Sequence, residues 1–316
     1  MSKNITFLIN KSEITAGTRG ASLGPEAIMT AARKSGSEFF NGRPIEFLPC
    51  VNKFLDTETQ YRHAKRIDGV LEIYRTLNST VSQKLKENQF PVILAGDHGS
   101  AGGTIAGIKS AFPDKRIGVI WIDAHADIHT PYTTPSGNIH GMPLATALGI
   151  DNLECKSNEI DDDTAALWKQ LKNVGGISPK INPQDILYVA VRSTESQEDA
   201  CIERFNIKKI SVDQVRQNGV QTSVNHILEY LSACDLLYIS FDVDSMDPDL
   251  TSRGTGTPVE NGLSPAEAKE MLTALVQNPK TVCLEVVEVN PCLDDKINTM
   301  AEVTLDILEA VVGKMN

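Results

Sequence analysis

Hydrophobic residues along the chain form short, nearly continuous runs that end in polar clusters. The runs are rich in Val, Ile and Leu and show no clean alternation with polar residues. They cover Ile5–Ile9, Ile45–Leu48, Pro91–Ala95, Ile117–Ile122, Ile186–Val191, Leu236–Phe241 and Val282–Val289. Such runs are typical of parallel strands that helices cover on both faces, because neither face meets water. We therefore predict that each run is a strand.

Between these runs, apolar residues recur at helical spacing. Glu58–Glu87 carries apolar side chains about 3.6 positions apart, and Thr222–Leu231 and Thr299–Val312 also have amphipathic patterns. Residues 264–267 (Ser-Pro-Ala-Glu) combine a capping box with proline at the first helical position, which predicts a helix start. The alternation of strands and helices predicts a three-layer α/β/α sandwich with a mostly parallel central sheet.

Composition bounds the domain organisation and the cellular setting. The chain has 316 residues, 41% of them hydrophobic, and no Pro/Gly/Ser-rich linker or repeat, so we expect one domain over residues 1–316. A net charge of −11 argues against a nucleic-acid partner. No apolar stretch approaches about 18 residues and the N-terminus does not resemble a signal peptide, so we expect a cytoplasmic protein without a membrane partner. Its six scattered cysteines are expected to be buried thiols, and not disulfides or zinc ligands.

Four of the predicted strands end in unusual polar sequence. AGDHG follows Leu94, DAHAD follows Ile122, DVDSMDPD follows Phe241 and EVNP follows Val287. In open α/β sheets, ligand sites form beyond the carboxyl ends of the strands. We therefore expect the four polar segments to converge on one pocket.

The polar segments contain the side chains of a metal site. If the chain after Ile122 stays extended, the alternating residues of DAHAD point the same way. The candidate ligands are His98, Asp123, His125, Asp127, Asp242 and Asp244. Four carboxylates in one pocket would repel one another and raise each other's pKa, and two divalent cations would remove that conflict. A carboxylate-rich set without thiolates suits Mn²⁺ better than Zn²⁺ or copper, although cobalt, nickel or iron could substitute.

These segments resemble the signature blocks of the arginase/agmatinase (ureohydrolase) family and are closest to the arginase version. GDH at 96–98, DAHAD at 123–127, SFDVDSMDPD at 240–249 and GTGTP at 254–258 occur in the family's order. The resemblance covers nearly the whole chain. It implies two Mn²⁺ per subunit, with Asp123 and Asp242 shared between them, and a homo-oligomer, commonly a trimer or hexamer.

The same resemblance implies a reaction and roles for named residues. It implies hydrolysis of a small guanidino substrate, L-arginine, to L-ornithine and urea by a metal-bridging hydroxide. The implied catalytic residues are His140 for proton transfer, Glu288 for gripping the guanidinium, and Asp127. The expected substrate-binding residues are His129, Thr134, Ser136, Asn138, Glu195, Thr257 and Glu288.

Departures from the family pattern leave the substrate open. His129 stands where the family usually has asparagine, Glu195 lies in a segment that is Asp-rich in arginases, and Gly99 replaces a serine. The alternative is therefore a hydrolase of another guanidino compound, such as agmatine, guanidinobutyrate or an arginine derivative. A two-metal phosphoesterase would need more Arg and Lys in the four motif segments, and an inactive relative would be expected to lack a ligand.

Overall fold

The structure, a computed structural model, describes residues 3–315. Within that range, eight parallel strands form one sheet in the order β2-β1-β3-β8-β7-β4-β5-β6. The strands are β1 (Asn4–Asn10), β2 (Ile45–Phe47), β3 (Gln89–Ala95), β4 (Ile117–Ile122), β5 (Ile186–Val189), β6 (Lys208–Ile210), β7 (Leu236–Asp242) and β8 (Thr281–Val287). The predicted strands are confirmed, with ends that differ by two residues or fewer. The sequence did not predict β6, a short edge strand with two exposed lysines.

Ten α-helices connect and cover the strands within the described range. They are α1 (Gly24–Ser35), α2 (Ile67–Lys86), α3 (Ala101–Ala111), α4 (Pro143–Leu148), α5 (Asp162–Lys172), α6 (Ser196–Phe205), α7 (Val212–Asn218), α8 (Val220–Tyr230), α9 (Pro265–Leu275) and α10 (Thr299–Gly313). Two apolar cores lie between the helices and the sheet. One core contains residues of α1 and α7 to α10, and the other contains residues of α2 to α6. Helices therefore cover both faces, and the predicted three-layer α/β/α fold is confirmed. None of these helices is long and apolar enough to cross a membrane.

The helix predicted from Glu58 begins nine residues later, at Ile67. Arg66 has a left-handed backbone (φ 59°), and its N–H donates to the Thr59 hydroxyl at 3.1 Å. The backbone N–H of Lys65 donates to the Gly137 carbonyl at 2.8 Å. These bonds tie the segment to neighbouring loops, so the apolar periodicity overestimated the helix. By contrast, the capping box of α9 is confirmed, because Ser264 and Glu267 bond each other's backbone N–H.

The order of the strands gathers the four motif segments. Strands β3, β8, β7 and β4 are consecutive neighbours in the middle of the sheet, and each of them precedes one motif segment. Parallel strands place their carboxyl ends at the same edge, so all four segments emerge side by side. This order places the four segments next to one another, as one shared pocket requires.

Candidate metal centre

The backbone after β4 bends where the sequence predicted continued extension. β4 ends at Ile122, residues 123–125 form a bend, and Asp127 has a left-handed backbone (φ 50°). Its side chain therefore does not simply repeat the direction of Asp123 along an extended strand. The turn brings Asp127 to His98, which follows β3.

One group of candidate ligands surrounds the His98 imidazole. Its Nδ1 atom lies 2.9 Å from Asp123 Oδ2, 3.2 Å from Asp127 Oδ2 and 3.1 Å from Asp242 Oδ2. All four side chains are buried. Three carboxylate oxygens and one nitrogen thus meet at a single point.

A second group lies beside the first and shares Asp123 with it. His125 Nδ1 lies 3.0 Å from Asp244 Oδ2 and 3.5 Å from Asp123 Oδ1. Asp242 lies between the groups, since its Oδ1 accepts a 2.8 Å hydrogen bond from the Asp244 N–H. The structure therefore brings together all six residues that the sequence nominated as metal ligands.

The charges of the centre fit a pair of divalent cations. Burial raises the pKa of Asp242 well above its usual range, and the negative Asp244 and Asp123 raise it further. Burial alone would lower the pKa of His98 and of His125, but the surrounding carboxylates outweigh it and raise both. Protons on the two imidazoles thus occupy the position that cations would take. His98 Nδ1 and Asp123 Oδ2 are also buried, and neither atom makes a well-aligned hydrogen bond, as expected of atoms that bind a metal.

The metal-free protein is expected to lose stability as pH rises from about 6.5 to about 8. Burial raises the pKa of Glu288 to about 8, so the folded protein holds a proton that the unfolded chain releases at lower pH. The raised pKa values of His98 and His125 act in the same direction above pH 6.5. Glu288 alone should cost about 1–2 kcal/mol across this interval.

Thermal unfolding at both pH values, with and without Mn²⁺, measures this effect. Bound cations replace the protons, so the loaded protein should be stabilised more strongly at pH 8 than at pH 6.5. A metal-free protein that is more stable at pH 8 than at pH 6.5 would contradict the assigned electrostatics.

Glu288 and His140 lie at the edge of the metal centre. Glu288 follows β8 with a left-handed backbone (φ 70°), and its Oε1 accepts a 2.8 Å hydrogen bond from the His98 N–H. His140 Nδ1 lies 3.9 Å from Glu288 Oε1. Burial lowers the pKa of His140 to about 4, helped by the positive charges of His125 and His98. His140 is therefore neutral at pH 7.

A cavity of about 400 Å³ opens above the metal centre and is lined by all seven expected substrate-binding residues. Its lining includes His98, His125, Asp127, Asp242, Asp244, Glu288, His140, His129, Thr134, Ser136, Asn138, Glu195 and Thr257. Asp123 lies beneath the floor and is fully buried. Metal ligands therefore form the floor, and the candidate recognition residues form the walls and mouth.

At the mouth, His129 bridges two polar neighbours. Its Nε2 lies 3.1 Å from Glu195 Oε2, and its Nδ1 lies 3.1 Å from the Thr133 hydroxyl. Glu198, which the sequence did not nominate, has a buried carboxylate 3.7 Å from the same Nε2. It bonds the backbone N–H groups of Ile128 and Glu195, so it supports both sides of the mouth. The Glu-x-x-Glu spacing at the start of α6 was the available signal.

The polar residues of 134–138 are partly engaged with their own loop. The Thr134 hydroxyl accepts from the Gly137 N–H at 3.0 Å, and the Ser136 hydroxyl accepts from the Asn138 N–H at 3.1 Å. Asn138 Nδ2 donates to the Ala16 carbonyl at 3.0 Å. Thr257 donates its hydroxyl to Asp244 Oδ2 at 3.1 Å, so it contacts a candidate metal ligand directly.

A steric constraint, which the sequence did not show, explains why position 99 is a glycine. A Cβ atom at this position would meet the Thr15 side chain at 2.4–2.6 Å. Thr15 therefore occupies the space that a serine side chain would need. The same segment anchors the neighbouring Asp97, whose Oδ2 accepts from the Thr15 N–H at 2.7 Å.

Comparison with known proteins identifies the family. A family model described as the Arginase family matches residues 5–313. The arginase of Bacillus subtilis is 31% identical over 316 residues, which cover 99% of each chain. The solved arginase of Bacillus caldovelox superposes with a TM-score of 0.82 at 31% identity, covering 99% of both chains. The Entamoeba histolytica arginase, solved in complex with L-ornithine, gives a TM-score of 0.81 at 26% identity, with the same coverage. The chain described here belongs to the arginase family.

Proposed function

We propose that this protein hydrolyses L-arginine to L-ornithine and urea with the help of two Mn²⁺ ions. The observation that carries the proposal is the convergence of two ligand groups, joined by Asp123, on the floor of one cavity. Glu288 lies at the edge of that floor and supplies a negative partner for a guanidinium. The similarity to arginases of about 31% identity supports the same activity.

The guanidinium group would be held by Glu288. A planar carboxylate matches the fork of N–H donors on a guanidinium. Burial raises the pKa of Glu288 to about 8, and an arriving cation would favour its ionised form. Substrate binding would thus displace the proton of the Glu288 carboxyl group. It would also position the guanidinium carbon over the cavity floor.

The residues of the cavity floor would bind the metal ions that activate water. Six ligands (His98, Asp123, His125, Asp127, Asp242 and Asp244) would hold the metal ions, which when bound lower the pKa of a water molecule to generate a nucleophile. Asp127 reaches the floor from a left-handed turn and would act in both metal binding and catalysis. Thr257 would keep Asp244 in place through its 3.1 Å hydrogen bond.

His140 would complete the proton transfers. A guanidino C–N bond breaks only after the leaving nitrogen is protonated, because an amide-like anion is a poor leaving group. His140 is neutral at pH 7, and its lowered pKa of about 4 means that it gives up a proton readily once it has received one. It lines the cavity and lies close to Glu288, so it would take up the proton that the attacking water gives up and deliver it to the departing amine.

The mouth would recognise the α-amino and α-carboxylate groups of arginine. Glu195 has a half-exposed carboxylate that would meet the α-ammonium group, while the neighbouring His129 holds it in place. Hydroxyl groups of Thr134 and Ser136, with the amide of Asn138, are suited to the carboxylate.

A second candidate is a guanidino compound without the α-carboxylate, such as agmatine. One observation favours it: Asn138 Nδ2 donates to the Ala16 carbonyl instead of a ligand in the cavity. An amide N–H that already donates to a backbone carbonyl contributes less to binding the carboxylate of a substrate. The metal centre would act on either class of substrate in the same way.

Urea release from a panel of guanidines tests the proposal. The Mn²⁺-loaded protein should release urea from L-arginine at a kcat/KM at least about tenfold higher than from agmatine or guanidinobutyrate, a difference of about 1.4 kcal/mol. Activity that is highest on agmatine would replace the substrate assignment. A fully loaded protein that leaves every guanidine intact would reject the proposed function.

Glu195→Gln should weaken recognition of the α-ammonium group. The change removes a charge-assisted hydrogen bond at a half-exposed position, so we expect the KM for arginine to rise about tenfold with kcat little changed. Guanidinobutyrate, which has no ammonium group at this end, should be turned over as before. Steady-state kinetics on both substrates measure this, and an equal loss on both would place Glu195 in a structural role only.

A further inference from the structure

The guanidinium group of Arg192 ties together the loops beside the candidate metal centre. Arg192 follows β5, and its side chain donates five hydrogen bonds, all of them to main-chain carbonyls. The acceptors are Glu260 for Nε (2.9 Å), Ala190 and Ser245 for Nη1 (3.0 and 3.3 Å), and Asp244 and Val259 for Nη2 (3.0 and 2.6 Å). A guanidinium has one N–H on Nε and two on each terminal nitrogen. The whole donor capacity of Arg192 is therefore used to hold backbone and not to bind a substrate.

The backbone of Arg192 contacts the metal centre as well. Its N–H donates to the Ala124 carbonyl at 2.9 Å. Ala124 lies between Asp123 and His125 in the chain. Together with the side-chain bond to the Asp244 carbonyl, this contact joins Arg192 to both segments that supply the second ligand group, which consists of Asp123, His125 and Asp244.

The side chain of Arg192 also fixes the orientation of Asp244. The Asp244 N–H donates to Asp242 Oδ1 at 2.8 Å, and the Asp244 carboxylate accepts from the Thr257 hydroxyl at 3.1 Å. Arg192 Nη2 holds the carbonyl at the other end of the residue. The same nitrogen donates to the Val259 carbonyl, two positions after Thr257. One nitrogen atom thus holds the two loops that meet in the Thr257–Asp244 hydrogen bond.

We propose that Arg192 is a positioning residue for one of the two metal ions, the ion of the second ligand group. Its guanidinium holds the Asp244 turn and the Thr257 loop in the arrangement that binds this ion. The inference rests on the metal binding of the proposed function, but not on the identity of the substrate. Groups that orient a metal ligand commonly contribute 10- to 100-fold to the metal affinity, about the effect expected here. The packing is close, because a Cβ atom on Gly262 would lie 2.6 Å from both Arg192 Nη2 and the Ser245 carbonyl oxygen.

The charge of Arg192 acts against metal binding, so the sign of the effect is informative. Two cations repel each other, and removing the Arg192 charge would by itself make Mn²⁺ bind more tightly. A positioning role predicts weaker binding instead. Arg192→Lys keeps the charge but replaces the planar fork with a single nitrogen, and Arg192→Gln removes the charge as well. The two variants therefore separate charge from geometry.

Both variants should lower the Mn²⁺ affinity of one site about 10- to 100-fold, with the other site little changed. Free Mn²⁺ measured by electron paramagnetic resonance during titration gives both affinities. The matched control is Arg116→Lys. Arg116 also binds through its fork, to the Asp185 carboxylate, but it precedes β4 and lies at the opposite edge of the sheet. The control should keep both affinities.

A His125→Ala background shows which ion is affected. This change removes a ligand of the second group only, so the first ion alone should bind. Arg192→Lys should then cause no further loss of affinity. A general disturbance of the fold would lower the remaining affinity too. If Arg192→Gln does not fold, as judged by thermal unfolding without metal, Arg192→Lys still decides, because charge alone predicts no change for it.

Unchanged affinities in Arg192→Lys, tighter Mn²⁺ binding in Arg192→Gln, or an equal loss at both sites would overturn the inference. A further loss in the His125→Ala background, or a wild-type protein that binds fewer than two Mn²⁺ ions, would overturn it as well. These readouts require no substrate. A protein that binds two ions and hydrolyses no guanidine would therefore contradict the proposed function while the affinities still decide the role of Arg192.

Discussion

Asp123→Asn is expected to lower kcat/KM for arginine by at least about 10³-fold and to leave the protein with one bound Mn²⁺ or none. Asp123 belongs to both ligand groups, with Oδ2 at 2.9 Å from His98 Nδ1 and Oδ1 at 3.5 Å from His125 Nδ1. The amide keeps the shape of the side chain but removes the negative charge that both cations would share. A 10³-fold loss corresponds to about 4 kcal/mol in the activation free energy.

Metal analysis after dialysis and urea-release kinetics measure the two effects together. The matched control is Asp249→Asn, which removes the same charge from an exposed position in the motif that follows β7. It should keep two Mn²⁺ ions and nearly full activity. If Asp123→Asn retained two ions and wild-type kinetics, the shared-ligand arrangement would be wrong.

Glu288→Gln is expected to lower kcat/KM for arginine by about 10³-fold while two Mn²⁺ ions remain bound. Glutamine can still accept the hydrogen bond that Glu288 Oε1 receives from the His98 N–H at 2.8 Å. It cannot neutralise a guanidinium, and a buried cation without its partner costs several kcal/mol. The variant should therefore lose substrate binding and catalysis but keep the metal ions on the cavity floor.

The same variant has a second expected effect. Because burial raises the pKa of Glu288 to about 8, its removal should weaken the fall in stability of the metal-free protein between pH 6.5 and 8. Thermal unfolding at the two pH values measures this without substrate. Glu260→Gln, which removes a charge at an exposed position near Thr257, is the control for both effects. Loss of metal from Glu288→Gln would instead make Glu288 part of the ligand support.

The two variants test different layers of the site. Asp123 is fully buried beneath the cavity, whereas Glu288 lines it. A protein with normal metal content and no activity points to the guanidinium position, and a protein without metal points to the floor. Comparing them shows whether metal binding and substrate binding are separable in this fold.

The sequence alone predicted seven of the eight strands and nominated the side chains of the candidate site. Buried parallel strands need apolar residues on both faces, so they appear as continuous runs that are visible without a structure. The six candidate ligands stand directly after three of these runs, which is why the sequence could nominate them as a group. The sequence did not predict α3, because a helix that is buried on most sides and rich in Gly and Ala shows no amphipathic stripe.

The tertiary structure decided which of these residues meet and what else they touch. The four motif strands converge because β3, β8, β7 and β4 are neighbours, an order that depends on how the chain crosses the sheet and not on any local pattern. Likewise, Thr15 fills the space beside Gly99 from 84 positions away in sequence. His98 Nε2 likewise contacts the Ser240 hydroxyl of β7, which is 142 positions away. Local sequence determines backbone preference over a few residues, whereas such contacts depend on packing between distant segments, which only the folded chain defines.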